Sequence, residues 1–136
     1  MSGGLCFPLY ACSREIIKRY TPFLEKIDLT YTQYIAMMVL WGKKQISVKE
    51  LGKCLFLDSG TLTPLLKKLE QKGYVTRTRS EEDERVLIDA ITPKGEDLKD
   101  EAVLIPQKMM ACAALPQEKA AQVYTLLYEL LNTLEK

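Results

Sequence analysis

The sequence predicts a mainly α-helical chain with a small β-hairpin wing, an α+β winged helix-turn-helix flanked by N- and C-terminal dimerisation helices. Three observations predict it. Apolar residues recur every three to four positions along most of the chain, the pattern changes to strand type only between Tyr74 and Ala90, and two short capped helices stand directly before that change. The expected division is residues 30–91 for the winged module and residues 5–28 and 93–136 for the dimerisation helices.

Leu5, Leu9, Cys12, Ile16, Tyr20, Phe23 and Ile27 step by three and four and mark one face of a long first helix. Pro8 fits a first turn, whereas Pro22 is expected to kink or interrupt the helix near Tyr20 and Thr21. A second helix over about 32–41 is apolar nearly all round, which makes it central, and Gly42 is expected to stop it. Ser47-Val48-Lys49-Glu50 is a Ser-x-x-Glu capping box opening a short helix to about Leu55. Asp58 or Ser59 can cap the next helix, whose stripe is Leu62, Leu65, Leu66 and Leu69 and whose end is Gly73. Residues 74–79 and 86–90 read as two strands around the polar turn 80–85. Thr92-Pro93 starts a helix toward Ala114 with a bend at Pro106, and a last helix begins near Gln117.

The outer helices carry more leucine and aromatic surface than a winged module needs, so their spare apolar faces are expected to form a homodimer interface. The competing reading has them fold back onto their own core.

The 136 residues include no histidine, which removes Ser-His-Asp hydrolases, Cys-His proteases, His-ligated zinc enzymes and imidazole acid–base chemistry together. Cys6, Cys12, Cys54 and Cys112 lie far apart without a C-x-x-C, so neither a metal nor any other cofactor is expected. No apolar run approaches the roughly 18 residues of a membrane span, and no membrane partner is expected. The chain reads as cytoplasmic, with reduced thiols.

A net charge of +1 conceals a strong asymmetry. Between Lys43 and Arg79 nine basic residues face three acids, giving +6, while the rest of the chain sums to −5. A positive module in a negative frame suits binding of double-stranded DNA through phosphate contacts. The competing reading is an ordinary solvated lysine face. At the start of the second module helix, Ser59, Thr61 and Thr63 are the expected base or phosphate contacts, with Lys67 and Lys68 on phosphates further along. The strand residues Arg77 and Arg79 add positive charge. In the wing, Asp83 is close enough to hold Arg85 extended toward a minor groove, although Glu81, Glu82 and Glu84 oppose deep insertion.

Several strings closely resemble the organic hydroperoxide resistance regulators within the MarR family. They are Leu5-Cys6-Phe7-Pro8-Leu9-Tyr10, Ser13-Arg14-Glu15, Leu29-Thr30-Tyr31-Thr32-Gln33-Tyr34, the run from Leu57 to Leu66, and the run from Arg79 to Arg85. The resemblance covers nearly the whole chain and is weakest after about Pro106. It implies a homodimeric repressor on operator DNA, with no enzymatic turnover, released when an organic hydroperoxide oxidises an N-terminal cysteine. Cys6 would be that cysteine, with Tyr20 and Tyr31 hydrogen-bonding its sulfur. The residues themselves fit this reading, because Cys6 falls in the first turn of a helix, where the macrodipole favours a thiolate. On one helix, Tyr20 stands about 21 Å from Cys6 at 1.5 Å per residue, so it can serve Cys6 only from a partner subunit.

Without that resemblance Cys6 reads as a small buried hydrophobe, as Cys12 and Cys54 do on helix packing faces. The resemblance further implies that Cys112, in the helix after the wing, resolves oxidised Cys6 across subunits, or that a low-molecular-weight thiol does so. Met109 and Met110 are expected to line a pocket or core. Two alternatives stay open: a MarR-type repressor released by a phenolic or drug-like ligand, and, more distantly, a thiol peroxidase.

Overall fold

The computed structural model describes residues 4–112 and 115–135, with residues 110–112 described by their backbone alone. The elements are α1 (Cys6–Glu25), α2 (Tyr31–Lys43), β1 (Gln45–Ser47), α3 (Val48–Leu55), α4 (Ser59–Gln71), β2 (Val75–Arg79), β3 (Leu87–Ile91), α5 (Pro93–Ala102), α6 (Ile105–Cys112) and α7 (Gln117–Leu134). They fall into two compact units that divide between Ile105 and Pro106.

The first unit is built around α2, whose Tyr34, Ala36, Met37, Leu40 and Trp41 are all buried. Trp41 Nε1 donates to the carbonyl of Gly95 at 2.8 Å, satisfying the indole inside the core. Leu62, Leu65, Leu66 and Leu69 form the buried stripe of α4, as their spacing predicts. Thr30 caps α2 through a full capping box with Gln33, a signal the sequence reading passed over. Ser47 accepts the Glu50 N–H at 3.1 Å, but the Glu50 carboxylate turns to Lys53 at 3.5 Å, so that box is half made. Asp58, rather than Ser59, caps α4.

Four expectations about the elements need correction. α1 runs unbroken through Pro22, because only three helical residues follow and the proline removes one hydrogen bond close to the helix end. Gly42 does not stop α2, which continues to Lys43 and ends on Lys44 at a φ of 70°. The hairpin is part of a three-stranded antiparallel sheet of order β1-β3-β2. At three residues, β1 is too short to show an alternation. Finally, the helix after the wing stops at Ala102 and a new helix begins at Ile105, so Pro106 lies in a first turn where its missing N–H has no intrahelical partner to lose.

The turn between α3 and α4 is tight because Gly52 lets it be. A Cβ at Gly52 would lie 2.7 Å from the Leu57 carbonyl oxygen and 3.3 Å from Leu62 Cδ1. Phe56 supplies the reversal at a φ of 56°. Along α1, Leu5, Phe7, Tyr10, Ile16 and Ile17 are exposed. In the second unit, Val123, Tyr124, Leu126, Leu127, Tyr128 and Leu134 of α7 are exposed as well. Met109 is buried, while the Met110 side chain lies outside the described residues.

Arg77 does not reach the surface where its charge was expected to meet DNA. Its register partner across the sheet is Asp89, and Arg77 Nε donates to Asp89 Oδ1 at 3.0 Å. The two side chains are 7% and 0% exposed. Burial pushes the Asp89 carboxyl up to about 6, against the pull of the Arg77 guanidinium. With the folded-state value above the unfolded one, Asp89 by itself favours folding most below about pH 4, and this contribution fades as pH rises through about 6. Truncating it leaves a buried guanidinium without a counter-charge. In urea unfolding at neutral pH, Asp89→Ala is therefore expected to lose about 3–5 kcal/mol, and the Arg77→Met/Asp89→Leu double variant much less. Equal losses in the two variants would contradict this account of the pair.

Candidate functional site

Two groups of side chains stand out, an exposed polar face on α4 and the wing, and a cluster of tyrosines at the α1–α2 junction. On α4, Asp58 Oδ1 accepts the Thr61 N–H at 2.7 Å, which lowers the Asp58 carboxyl and fixes the helix start. Ser59 and Thr61 are exposed there. Thr63 is half-buried and its hydroxyl donates to the Ser59 carbonyl at 2.8 Å, so this side chain is turned along its own helix and presents acceptor capacity only. Lys67 and Lys68 are exposed, on the side away from the leucine stripe.

The wing is ordered by its own arginines. Arg85 meets Asp83 in a fork, Nε to Oδ1 at 3.2 Å and Nη2 to Oδ2 at 3.3 Å, while its backbone N–H donates to the same carboxylate at 3.0 Å. These bonds lower the Asp83 carboxyl. The Arg85 side chain stays 91% exposed, so the fork aims the guanidinium outward. Arg79 is exposed and donates from Nη1 to the Glu84 carbonyl at 3.0 Å, tying the loop to β2.

The positive charge of the module is smaller than its composition suggests. Lys44, Lys53, Lys72 and Arg77 are in ion pairs with Glu96, Glu50, Asp28 and Asp89. Three of these acids lie outside the stretch from Lys43 to Arg79, so counting charge along the chain could not register them.

Tyr20 of α1 and Tyr31 of α2 come together, with ring centroids 5.0 Å apart. Tyr34 completes the cluster at 5.8 Å from Tyr20 and 6.4 Å from Tyr31. Tyr34 is not among the residues that the sequence marks for the site, although its position three residues after Tyr31 puts both on one helix face. Burial raises the phenol pKa of all three, and at Tyr20 the neighbouring Tyr31 adds to the rise. A phenol is protonated at neutral pH even without this rise, so the three hydroxyls are hydrogen-bond donors there.

Cys6 is exposed at the opposite end of α1, as its first residue, and the N-cap Leu5 offers no side-chain acceptor to the first-turn amides. Since α1 is continuous, Cys6 and Tyr20 of one protomer are separated by about 21 Å. Cys12 and Cys54, expected on packing faces, are exposed in the protomer. Cys112 ends α6, and its side chain lies outside the described residues. Among the described residues, no cluster of three or more metal-binding side chains occurs and no helix is long and apolar enough to cross a membrane.

The cluster makes a spectroscopic prediction. Tyr31→Phe should lower the pH at which Tyr20 ionises, because the neighbouring phenolate that opposes its ionisation is gone. Ultraviolet titration of the variant against the parent chain checks this, and an unchanged or higher midpoint would mean that the rings do not interact.

The chain is similar to known transcriptional regulators. Residues 18–102 match the family described as Transcriptional regulator SarA/Rot. The chain is 48% identical, over all 136 residues and 92% of the relative, to the organic hydroperoxide resistance transcriptional regulator of Bacillus subtilis. The structure of reduced AbfR bound to DNA superposes with a TM-score of 0.82 at 32% identity, covering 96% of this chain and 91% of that one. Overoxidised AbfR bound to DNA gives 0.78 at 36% identity, covering 95% and 90%. With a winged helix-turn-helix and 48% identity over its whole length to an organic hydroperoxide resistance regulator, the chain belongs to the MarR family of transcriptional regulators, in the organic hydroperoxide resistance branch.

Proposed function

We propose that the chain is a homodimeric repressor that holds operator DNA while Cys6 is reduced and lets go when an organic hydroperoxide oxidises it. The observation that carries this reading is the pairing of Tyr20 with Tyr31 at 5.0 Å, at the end of α1 remote from Cys6. Two protonated phenols side by side are a ready receptor for an anionic sulfur, and Cys6 can reach them only from a second copy. The exposed apolar residues of α1 and α7 supply the surface for that copy. In this reading, residues 5–28 and 93–136 dimerise and residues 30–91 bind DNA, in the reducing cytoplasm.

The sulfur of Cys6 attacks the terminal peroxide oxygen. An S–O bond forms, the O–O bond breaks, the alkoxide leaves and takes a proton, and the products are a sulfenic acid and an alcohol. Sulfur has then given up two electrons to the peroxide. Cys112 of the partner subunit, or a low-molecular-weight thiol, condenses with the sulfenic acid, releasing water and forming a disulfide. AbfR has been solved on DNA in an overoxidised form, so we assign release in this chain to the disulfide branch rather than to further oxidation. Loss of the sulfur–phenol hydrogen bonds shifts the two modules, and recognition helices set for half-sites about 34 Å apart no longer fit both.

On DNA, α4 enters the major groove, where Ser59 and Thr61 meet bases or phosphates, Thr63 can only accept, and Lys67 and Lys68 lie along the backbone. Arg85, steadied by Asp83, reaches the minor groove, with Arg79 at the base of the wing.

On a duplex selected from a random pool by the reduced protein, Cys6→Ser should bind as the parent does yet stay bound after cumene hydroperoxide. Dithiothreitol should restore binding to the oxidised parent. Release of Cys6→Ser by peroxide, or failure of the reductant, would refute the sensor. Arg85→Ala should cost about 1–3 kcal/mol of binding, whereas Arg79→Ala should also loosen the wing. An unchanged Kd for Arg85→Ala would remove the wing from the interface.

A further inference from the structure

The C-terminal end of α4 is tied by one side chain to the turn before α2 and to the first turn of α2, which begins with Tyr31. Lys72, the C-cap of α4, donates from Nζ to the backbone carbonyl of Asp28 and to Gln33 Oε1 at 3.1 Å, and stands 3.6 Å from Asp28 Oδ2. Gln33 is buried, and the same Oε1 accepts the Thr30 N–H at 3.1 Å, while Thr30 Oγ1 accepts the Gln33 N–H at 3.2 Å. Those two bonds close the first turn of α2, the turn that begins with Tyr31. Asp28 itself sits at a φ of 55°, a conformation that disfavours any residue with a Cβ, and the carbonyl it turns outward is one that Lys72 holds. Lys72 also lies at the root of the wing, since its own carbonyl accepts from Lys94 Nζ at 2.8 Å two residues before Tyr74 leads into β2.

An event at the tyrosines can weaken operator binding only if it and α4 bias the same two-state element. We propose that Lys72 is the positioning residue that provides this link. Its ammonium donates to two oxygens, the Asp28 carbonyl at the α1–α2 turn and Gln33 Oε1 in the first turn of α2, and pairs with the Asp28 carboxylate at 3.6 Å, so displacement of Tyr31 is transmitted to the end of the recognition helix. Without the ammonium, α2 and α4 keep the packing between them but lose the polar tie that joins the end of α4 to the turn before α2. The inference rests on the redox reading of Cys6, and on it Lys72 acts in release rather than in DNA contact, although its charge falls within the basic module.

The test compares the parent chain, Lys72→Met, Lys72→Arg and Gln33→Met on the selected duplex, before and after one equivalent of cumene hydroperoxide, with Cys6 oxidation followed by intact mass. Reduced Lys72→Met should retain binding and should oxidise at the parent's rate. Its ratio of oxidised to reduced Kd should fall about tenfold below the parent's, a loss within the usual range of coupling between sites. Lys72→Arg should recover most of the ratio, and Gln33→Met should lose it from the other end of the tie. A parental ratio in both Lys72→Met and Gln33→Met overturns the proposal. So does weakened reduced binding with an unchanged ratio, which would make Lys72 a phosphate contact, and so does slowed Cys6 oxidation, which would place it in the sensing chemistry. If the parent chain oxidises at Cys6 but is not released, the redox reading itself falls and takes this inference with it.

Discussion

Cys6 and Tyr20 are carried by the same continuous helix, and helical geometry keeps residues fourteen positions apart about 21 Å from one another. Pro22 lies beyond Tyr20, so even a bend at the proline would not shorten this separation. Tyr31 and Tyr34 gather around Tyr20 and not around Cys6, which concentrates the donors at one end of α1 and leaves the sulfur at the other. If Cys6 and these phenols form one site, as proposed, a single protomer carries both halves but cannot bring them together. The need for a second copy in the proposed sensor rests on this one separation, and the exposed apolar residues on α1 offer a surface for it.

The DNA face is shaped by internal pairing as much as by exposed charge. Arg77 and Asp89 join β2 to β3 in the interior, and the pair braces the sheet from which the wing projects. Further out, Asp83 holds Arg85 and the Glu84 carbonyl holds Arg79, so the loop at residues 80–85 is ordered before it meets a partner. Preorganisation of this kind reduces the conformational entropy lost on binding. Lys72 is the counterpart at the other end of the module, joining the end of α4 to the turn before α2.

Much of this was legible in the residues. The leucine stripe of α4, the caps at Ser47, Asp58 and Thr92, the glycine stop at Gly73 and the Asp83–Arg85 pair are local patterns, and local patterns survive into the structure. What escaped was non-local. Strand β1 exists only because β3 pairs with it, and Arg77 is interior only because Asp89 lies opposite it in register. The role of Lys72 depends on Asp28 and Gln33, some forty residues earlier in the chain. Lys44 likewise loses its apparent availability to Glu96 across the sheet-side end of α2. Chain order hides such pairs because the charges that neutralise one another are far apart in sequence, so a basic stretch looks more exposed than it is.

The claim that the sensing site spans two subunits is tested most directly by a mixed dimer in which one protomer carries Cys6→Ser and the other carries Tyr20→Phe and Tyr31→Phe. If the sulfur of one subunit meets the phenols of the other, this heterodimer keeps one complete site, and its remaining Cys6 is oxidised by cumene hydroperoxide at the rate of the unaltered protein. If each subunit works alone, no complete site remains, and oxidation at the slow rate of the doubly substituted homodimer would contradict the account.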